Sequence, residues 1–127
     1  MRYLLDSHAI IWYFEDYSAL SALAGKIIES SENRIFISVA SLWEIAIKIS
    51  ISKLVLKRGF EQLLADVRNG DYEILQIEDA HLRKLASLPF IHKDPFDRLI
   101  VSTALAEGMT LITADENIHK YAVPWIW

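Results

Sequence analysis

With 127 residues the chain is long enough to bury a core without disulfide or metal staples, and too short to call for a second domain. It has no cysteine, which excludes disulfides and thiolate metal sites, and its hydrophobic fraction of 53% suits a sheet buried on both faces with apolar surface left for an interface. A net charge of −4 argues against a nucleic-acid binder unless basic residues gather locally.

Tyr3-Leu4-Leu5 is a short apolar run that ends on Asp6 and Ser7, either of which can cap a helix through His8 to about Phe14. Asp6 also breaks the run too early for a signal-peptide core, and Ile35 to Trp43 is far short of the roughly 20 residues a membrane helix needs. A soluble, cytoplasmic protein with no membrane partner is expected. Leu20 to Ile28 has helical spacing, with Ser18 or Ser21 as cap, and Ile35-Phe36-Ile37 predicts a second strand. Ser38 caps a helix from Ala40 to about Ser50, on which Ser41, Glu44 and Lys48 form a polar stripe.

After a link from Lys53 to Gly59, a helix from Phe60 to Arg68 stops at Asn69-Gly70. Tyr72 to Ile77 predicts the third strand, and Glu78 to Ser87 a helix that Pro89 ends. Asp94-Pro95 opens a helix to Glu107, closed by Gly108. Leu111-Ile112-Thr113 is the fourth strand, Glu116 to Tyr121 a short helix, and Val123 to Trp127 an edge strand. Short apolar strands alternating with helices predict a three-layer α/β/α fold with a mainly parallel sheet, as one domain over residues 1–127. In such folds ligands bind beyond the carboxyl ends of the strands, where strand order reverses.

Asp6 and Asp115 fall at or just past strand ends, and Glu44 and Asp97 fall early in helices that begin at the same edge. Each has a plainer use. Asp6 and Asp115 can be helix caps, Asp97 can bond back to the cap Asp94, and Glu44 can form an exposed i, i+4 pair with Lys48. As a set they would repel, at about 4 kcal/mol per close pair at about 4 Å and an effective dielectric near 20. Protons or a cation must relieve that. An all-oxygen donor set suits Mg²⁺ or Mn²⁺, and such an ion makes hydroxide available and stabilises charge on a phosphate, which points to phosphodiester hydrolysis.

Leu5-Asp6-Ser7-His8, Ser41-Leu42-Trp43-Glu44-Ile45-Ala46-Ile47-Lys48, His92-Lys93-Asp94-Pro95-Phe96-Asp97-Arg98 and Leu111-Ile112-Thr113-Ala114-Asp115 resemble, in order and spacing, the PIN-domain ribonucleases, particularly the VapC-like toxins of bacterial toxin–antitoxin pairs. The resemblance spans essentially the whole chain, and the Asp-Pro-Phe-Asp-Arg run is its most specific part. It implies a Mg²⁺-dependent endoribonuclease toxin, commonly dimeric, restrained by a cognate antitoxin. Asp6, Glu44, Asp97 and Asp115 correspond to the family's metal-binding, catalytic acids, with Thr113 a helper beside the last. Ser52-Lys53-Leu54 stands where relatives often have Gly-Lys-Leu, and Val101-Ser102-Thr103-Ala104 where many have a Gln-bearing segment.

The acidic total has a local answer, because the only charges between Glu44 and Glu61 are Lys48, Lys53, Lys57 and Arg58. Lys48 and Lys53 are therefore candidate RNA contacts, against the plainer reading of a solvated face. Arg98 either steadies the scissile phosphate or salt-bridges a carboxylate, and His92 either touches RNA or donates to an acid. His8, His81 and His119 lack metal spacing, and Trp12, Trp43, Trp125 and Trp127 read as core or interface residues. Two readings compete with the ribonuclease: a silent regulatory α/β module whose acids are only caps, and a DNA-directed nuclease with the same metal site. A receiver-like module fits poorly, since the third strand runs into Ile77-Glu78-Asp79 at a helix start.

Overall fold

The computed structural model describes all residues, 1–127. Its strands are β1 (Arg2–Leu5), β2 (Arg34–Ser38), β3 (Tyr72–Leu75), β4 (Thr110–Ile112) and β5 (Trp125–Ile126). Its helices are α1 (Ser7–Glu15), α2 (Ala22–Glu29), α3 (Val39–Ser50), α4 (Phe60–Asn69), α5 (Asp79–Ser87), α6 (Pro95–Glu107) and α7 (Glu116–His119). The strands form one sheet in the order β3-β2-β1-β4-β5, and all four pairings are parallel. The expectation of a mainly parallel sheet is met by one that is parallel throughout, with helices on both faces.

Side chains alternate across a strand, so both faces of the central strands carry apolar groups. Tyr3, Leu5, Ile35, Ile37 and Ile112 point into a core shared with α1, α2 and α4. Leu4, Phe36 and Leu111 point the other way, against Ile100, Val101 and Ala104 of α6 and Ile118 of α7. Helix α3 serves both layers, with Leu42 and Ile45 in the first core and Ala40 in the second.

Helix starts follow the caps. Asp6, not Ser7, caps α1, its side chain accepting from Ala9 N at 2.8 Å. Ser21, not Ser18, caps α2, while Ser18 lies in an unforeseen 3-10 turn, Tyr17–Ala19. Ser38 and Asp94 cap α3 and α6 as their sequence positions predict. Several carboxyl-terminal boundaries shift, the fourth strand ending at Ile112 rather than Thr113. The third strand stops at Leu75 rather than Ile77, because its only partner, β2, ends at Ser38 and gives way to α3. The fifth strand is confined to Trp125–Ile126 by the short β4, and the last helix ends at His119. No helix is long and apolar enough to cross a membrane.

Candidate functional site

Chain order reverses between β1 and β4, the central neighbours, with β2 and β3 to one side and β5 to the other. Leu5 pairs with Ile112, so the two strands end together and deliver Asp6 and Thr113 side by side. The Thr113 hydroxyl donates to Asp6 Oδ2 at 2.5 Å and accepts from the Asp115 backbone N–H at 3.0 Å. Thr113 thus ties the end of one strand to the loop after the other. Asp115 Oδ1 caps α7 by accepting from Asn117 N at 2.8 Å. The cap expected of Asp115 is present, and it engages one of the two carboxylate oxygens.

Glu44 comes from the second turn of α3 and is buried, at 6% exposure. Ser7 Oγ donates to its Oε1 at 2.5 Å, and Lys48 Nζ lies 2.9 Å from its Oε2. The expected exposed i, i+4 pair is therefore present, but its acidic half is inside the protein. Asp97, in the first turn of α6, gives its backbone N–H to the Asp94 carboxylate at 3.0 Å. Its Oδ2 lies 3.0 Å from His92 Nε2, and His92 Nδ1 lies 2.8 Å from the Tyr121 hydroxyl.

Electrostatics link the four acids. Burial pushes the Asp6 carboxyl up from its ordinary value, opposed by the Thr113 hydroxyl, the Ala9 N–H and His8, and the charge of Asp115 adds to the rise. Burial likewise pushes Asp97 up to about 6 against the His92 hydrogen bond, with the charges of Asp94, Asp115 and Glu44 adding. Asp115 thus bears on both Asp6 and Asp97, and Glu44 on Asp97. No three of the protein's His, Asp and Glu side chains are grouped closely enough, as they stand, to hold a metal ion. The physical reason is visible in their partners: acids that repel turn to protein donors, and Lys48 supplies Glu44 with a positive charge. The donor set, carboxylate oxygen only, still fits a hard divalent cation, whose charge would favour the ionised forms that burial and the neighbouring acids disfavour at Asp6 and Asp97.

The remaining candidates divide. Lys53 is exposed, just beyond the end of α3, and its N–H closes on Lys48 O at 2.8 Å. Arg98 pairs with no carboxylate: Nη1 donates to Pro89 O at 2.9 Å and to the Tyr121 hydroxyl at 3.2 Å, Nη2 reaches Leu88 O at 3.4 Å, and the guanidinium lies 4.8 Å from the Phe90 ring centroid. Its donors serve the loop before α6. Within the basic stretch, Arg58 is tied to Asp66 at 3.0 Å. His81 is buried between Glu78 N and Glu107, and His119 stacks on Trp125 at 3.4 Å. Trp12 and Trp127 pack against the first core, but Trp43 lies outside any core, 57% exposed and edge-on to Phe96.

Sequence reasoning missed Ser7 as a partner of Glu44 and Tyr121 as the partner of the histidine that meets Asp97. Ser7 carried a signal, since it adjoins Asp6 at a strand end, but it was explained as an alternative cap. Tyr121 is 24 residues beyond Asp97 in sequence and reaches it only through the fold.

The fold is a parallel α/β sheet with acids set around its switch point, where proteins of this class bind their ligands. The sequence matches the PIN domain family over residues 3–124, and the chain belongs to that family. It is similar to ribonuclease VapC22 of Mycobacterium tuberculosis, with 29% identity over 127 residues that cover 95% of this chain and 92% of that protein. Among solved structures, VapBC2 of Rickettsia felis bound to a promoter DNA fragment aligns with a TM-score of 0.77 and 21% identity over 100% of this chain and 99% of that one. VapBC-1 of nontypeable Haemophilus influenzae aligns with a TM-score of 0.71 and 16% identity, covering 99% and 97%. The fold is that of these proteins.

Proposed function

We propose that this chain, acting as one PIN unit over residues 1–127, is a metal-dependent endoribonuclease and the toxin of a toxin–antitoxin pair. The observation that carries the reading is the set of four acids, Asp6, Glu44, Asp97 and Asp115, coupled by charge at the switch point of a PIN-domain sheet. The similarity to ribonuclease VapC22 supports RNA as substrate. The structural likeness to VapBC toxin–antitoxin complexes supports a cognate antitoxin. Action is in the cytoplasm, where RNA and antitoxin are made.

The four carboxylates would hold Mg²⁺ or Mn²⁺, and such an ion would help make water nucleophilic and stabilise charge on the phosphate. The chain's own residues do the rest. Thr113 fixes the spacing between Asp6 and Asp115, Ser7 fixes the rotamer of Glu44, and Lys48 balances the charge of Glu44. Exposed Lys53 and Lys57, in the stretch that follows α3, would contact the RNA backbone. The chain forms a homodimer, for which the exposed apolar groups Trp43, Phe90, Ile91 and Val55 are available.

Purified chain freed of antitoxin is expected to cut a single-stranded RNA with Mg²⁺ or Mn²⁺, to stop with EDTA, and to leave a matched DNA intact. Full activity in Asp97→Asn, or preference for the DNA, contradicts the reading.

A further inference from the structure

We infer that Tyr121 is a positioning residue, the middle of a one-way hydrogen-bond relay that runs from Arg98 through Tyr121 and His92 to the Asp97 carboxylate. The inference rests on the metal-site reading of Asp97 for its consequence, but not for its geometry.

The direction follows from counting protons. Arg98 has only donors, so at 3.2 Å its Nη1–H must point to the Tyr121 oxygen. The Tyr121 oxygen also lies 3.3 Å from the His92 backbone N–H, so two donors already address it. Its own single proton is then free to point outward. The strongest acceptor in reach is His92 Nδ1 at 2.8 Å, against 3.5 Å to the His92 carbonyl. A His92 ring whose Nδ1 accepts must carry its proton on Nε2, which donates to Asp97 Oδ2 at 3.0 Å. Every link agrees with the next, and the ordered chain delivers one donor to one carboxylate oxygen.

Burial makes the relay rigid. Tyr121 is 4% exposed within the second core, and the His92 and Asp97 side chains are 14% and 20% exposed. Arg98 anchors the far end by also holding the carbonyls of Pro89 and Leu88, so the loop that carries His92 cannot drift from α6. With Oδ2 committed to His92, Asp97 can turn only its other oxygen toward the neighbouring acids. Hydrogen-bonded partners of this kind orient metal-binding groups, and their loss typically costs about 10- to 100-fold in metal affinity.

Two readouts on Tyr121→Phe test this, since the substitution keeps the buried ring and deletes only the hydroxyl. In the metal-free protein at alkaline pH, ¹⁵N shifts of His92 are expected to show Nε2 protonated and Nδ1 bare, and Tyr121→Phe to weaken that preference. Mn²⁺ titration should show about tenfold weaker binding in Tyr121→Phe, with the circular dichroism spectrum unchanged. His92→Gln, which keeps a donor for Asp97, should bind better than His92→Ala. A wild-type His92 protonated on Nδ1, or equal Mn²⁺ affinity in Tyr121→Phe and wild type, overturns the relay. If wild type takes up no Mn²⁺, the metal reading fails instead, and the tautomer still decides the relay.

Discussion

At the amino-terminal end of the sheet Arg34 clasps Glu73 through hydrogen bonds of 2.7 and 2.6 Å, and Glu107 is shared by Arg2 and buried His81. At the carboxyl end Asp6, Asp97 and Asp115 bear on one another, and of the four acids only Glu44 has a lysine. The first arrangement matches charges and lowers the carboxyl value of Glu73, chiefly through the Arg34 hydrogen bond. At the second, burial above all, with the neighbouring acids adding, raises the values of Asp6 and Asp97. The fold pairs its charges at one end and buries acids at a cost at the other, which is where a functional site would be expected to cost stability.

The sharpest way to break this contrast is to neutralise one acid. Asp97→Asn is expected to lower RNA cleavage by at least about 100-fold, while the metal-free protein melts no lower than wild type, because a repelling buried charge has gone. A variant that loses activity only by unfolding, seen in parallel thermal melts, would erase the distinction between the two ends.

Next in size is Gly108→Ala at the amino end, where α6 closes. Gly108 has φ of +67°, and an added Cβ meets nothing within 4 Å, so the cost is backbone alone. Denaturant melts should show a loss of about 1 kcal/mol, with Mn²⁺ binding unchanged.

The pH dependence separates the ends as well. Asp97 titrates near 6 when folded, above its ordinary value of 3.8. Its contribution to folding stability is therefore fully present below the ordinary value and is lost as pH rises through about 6. Mn²⁺ must find the ionised form, so its affinity should rise over that same window. Chemical denaturation of the metal-free protein and metal titrations from pH 4 to about 7 should thus move in opposite directions. Glu73, lowered by Arg34, contributes stability above its ordinary value that fades as the medium becomes acidic.

Ser52 gives the smallest effect. It is a non-glycine at φ of +58°, in the position where the family often has glycine, and it follows the last turn of α3. Ser52→Gly should raise stability by about 0.5 kcal/mol, the relief of the left-handed backbone less the entropy that glycine loses. Unaltered melting would mean that the loop already absorbs the strain.

Much of this architecture was legible because it is local. The apolar runs at Tyr3-Leu4-Leu5 and Ile35-Phe36-Ile37 became buried parallel strands, and Asp94-Pro95 opened α6 as cap chemistry requires. What failed was set by partners distant in sequence. Whether Gln76 and Ile77 extend β3 depends on where β2 stops, and nothing in Tyr72 to Ile77 states that. The same divide runs through the site. The residue types and spacing of the four acids could be read, but the burial of Glu44, the commitment of Arg98 to backbone carbonyls and the reach of Tyr121 to His92 arise only when α3, α6 and α7 meet. Asp6 and Asp115 are helix caps through one carboxylate oxygen each, which leaves the other oxygen for a different partner, so the plain explanation of an acid does not exclude a functional one.

The central claim is that the four acids form one divalent-cation site, and calorimetric titration of Mn²⁺ into metal-free wild type, Asp6→Asn, Glu44→Gln, Asp97→Asn and Asp115→Asn tests it most directly. Wild type is expected to bind saturably and each substitution to weaken binding by tenfold or more; wild-type affinity retained in all four variants, with their folds intact, would contradict a shared site.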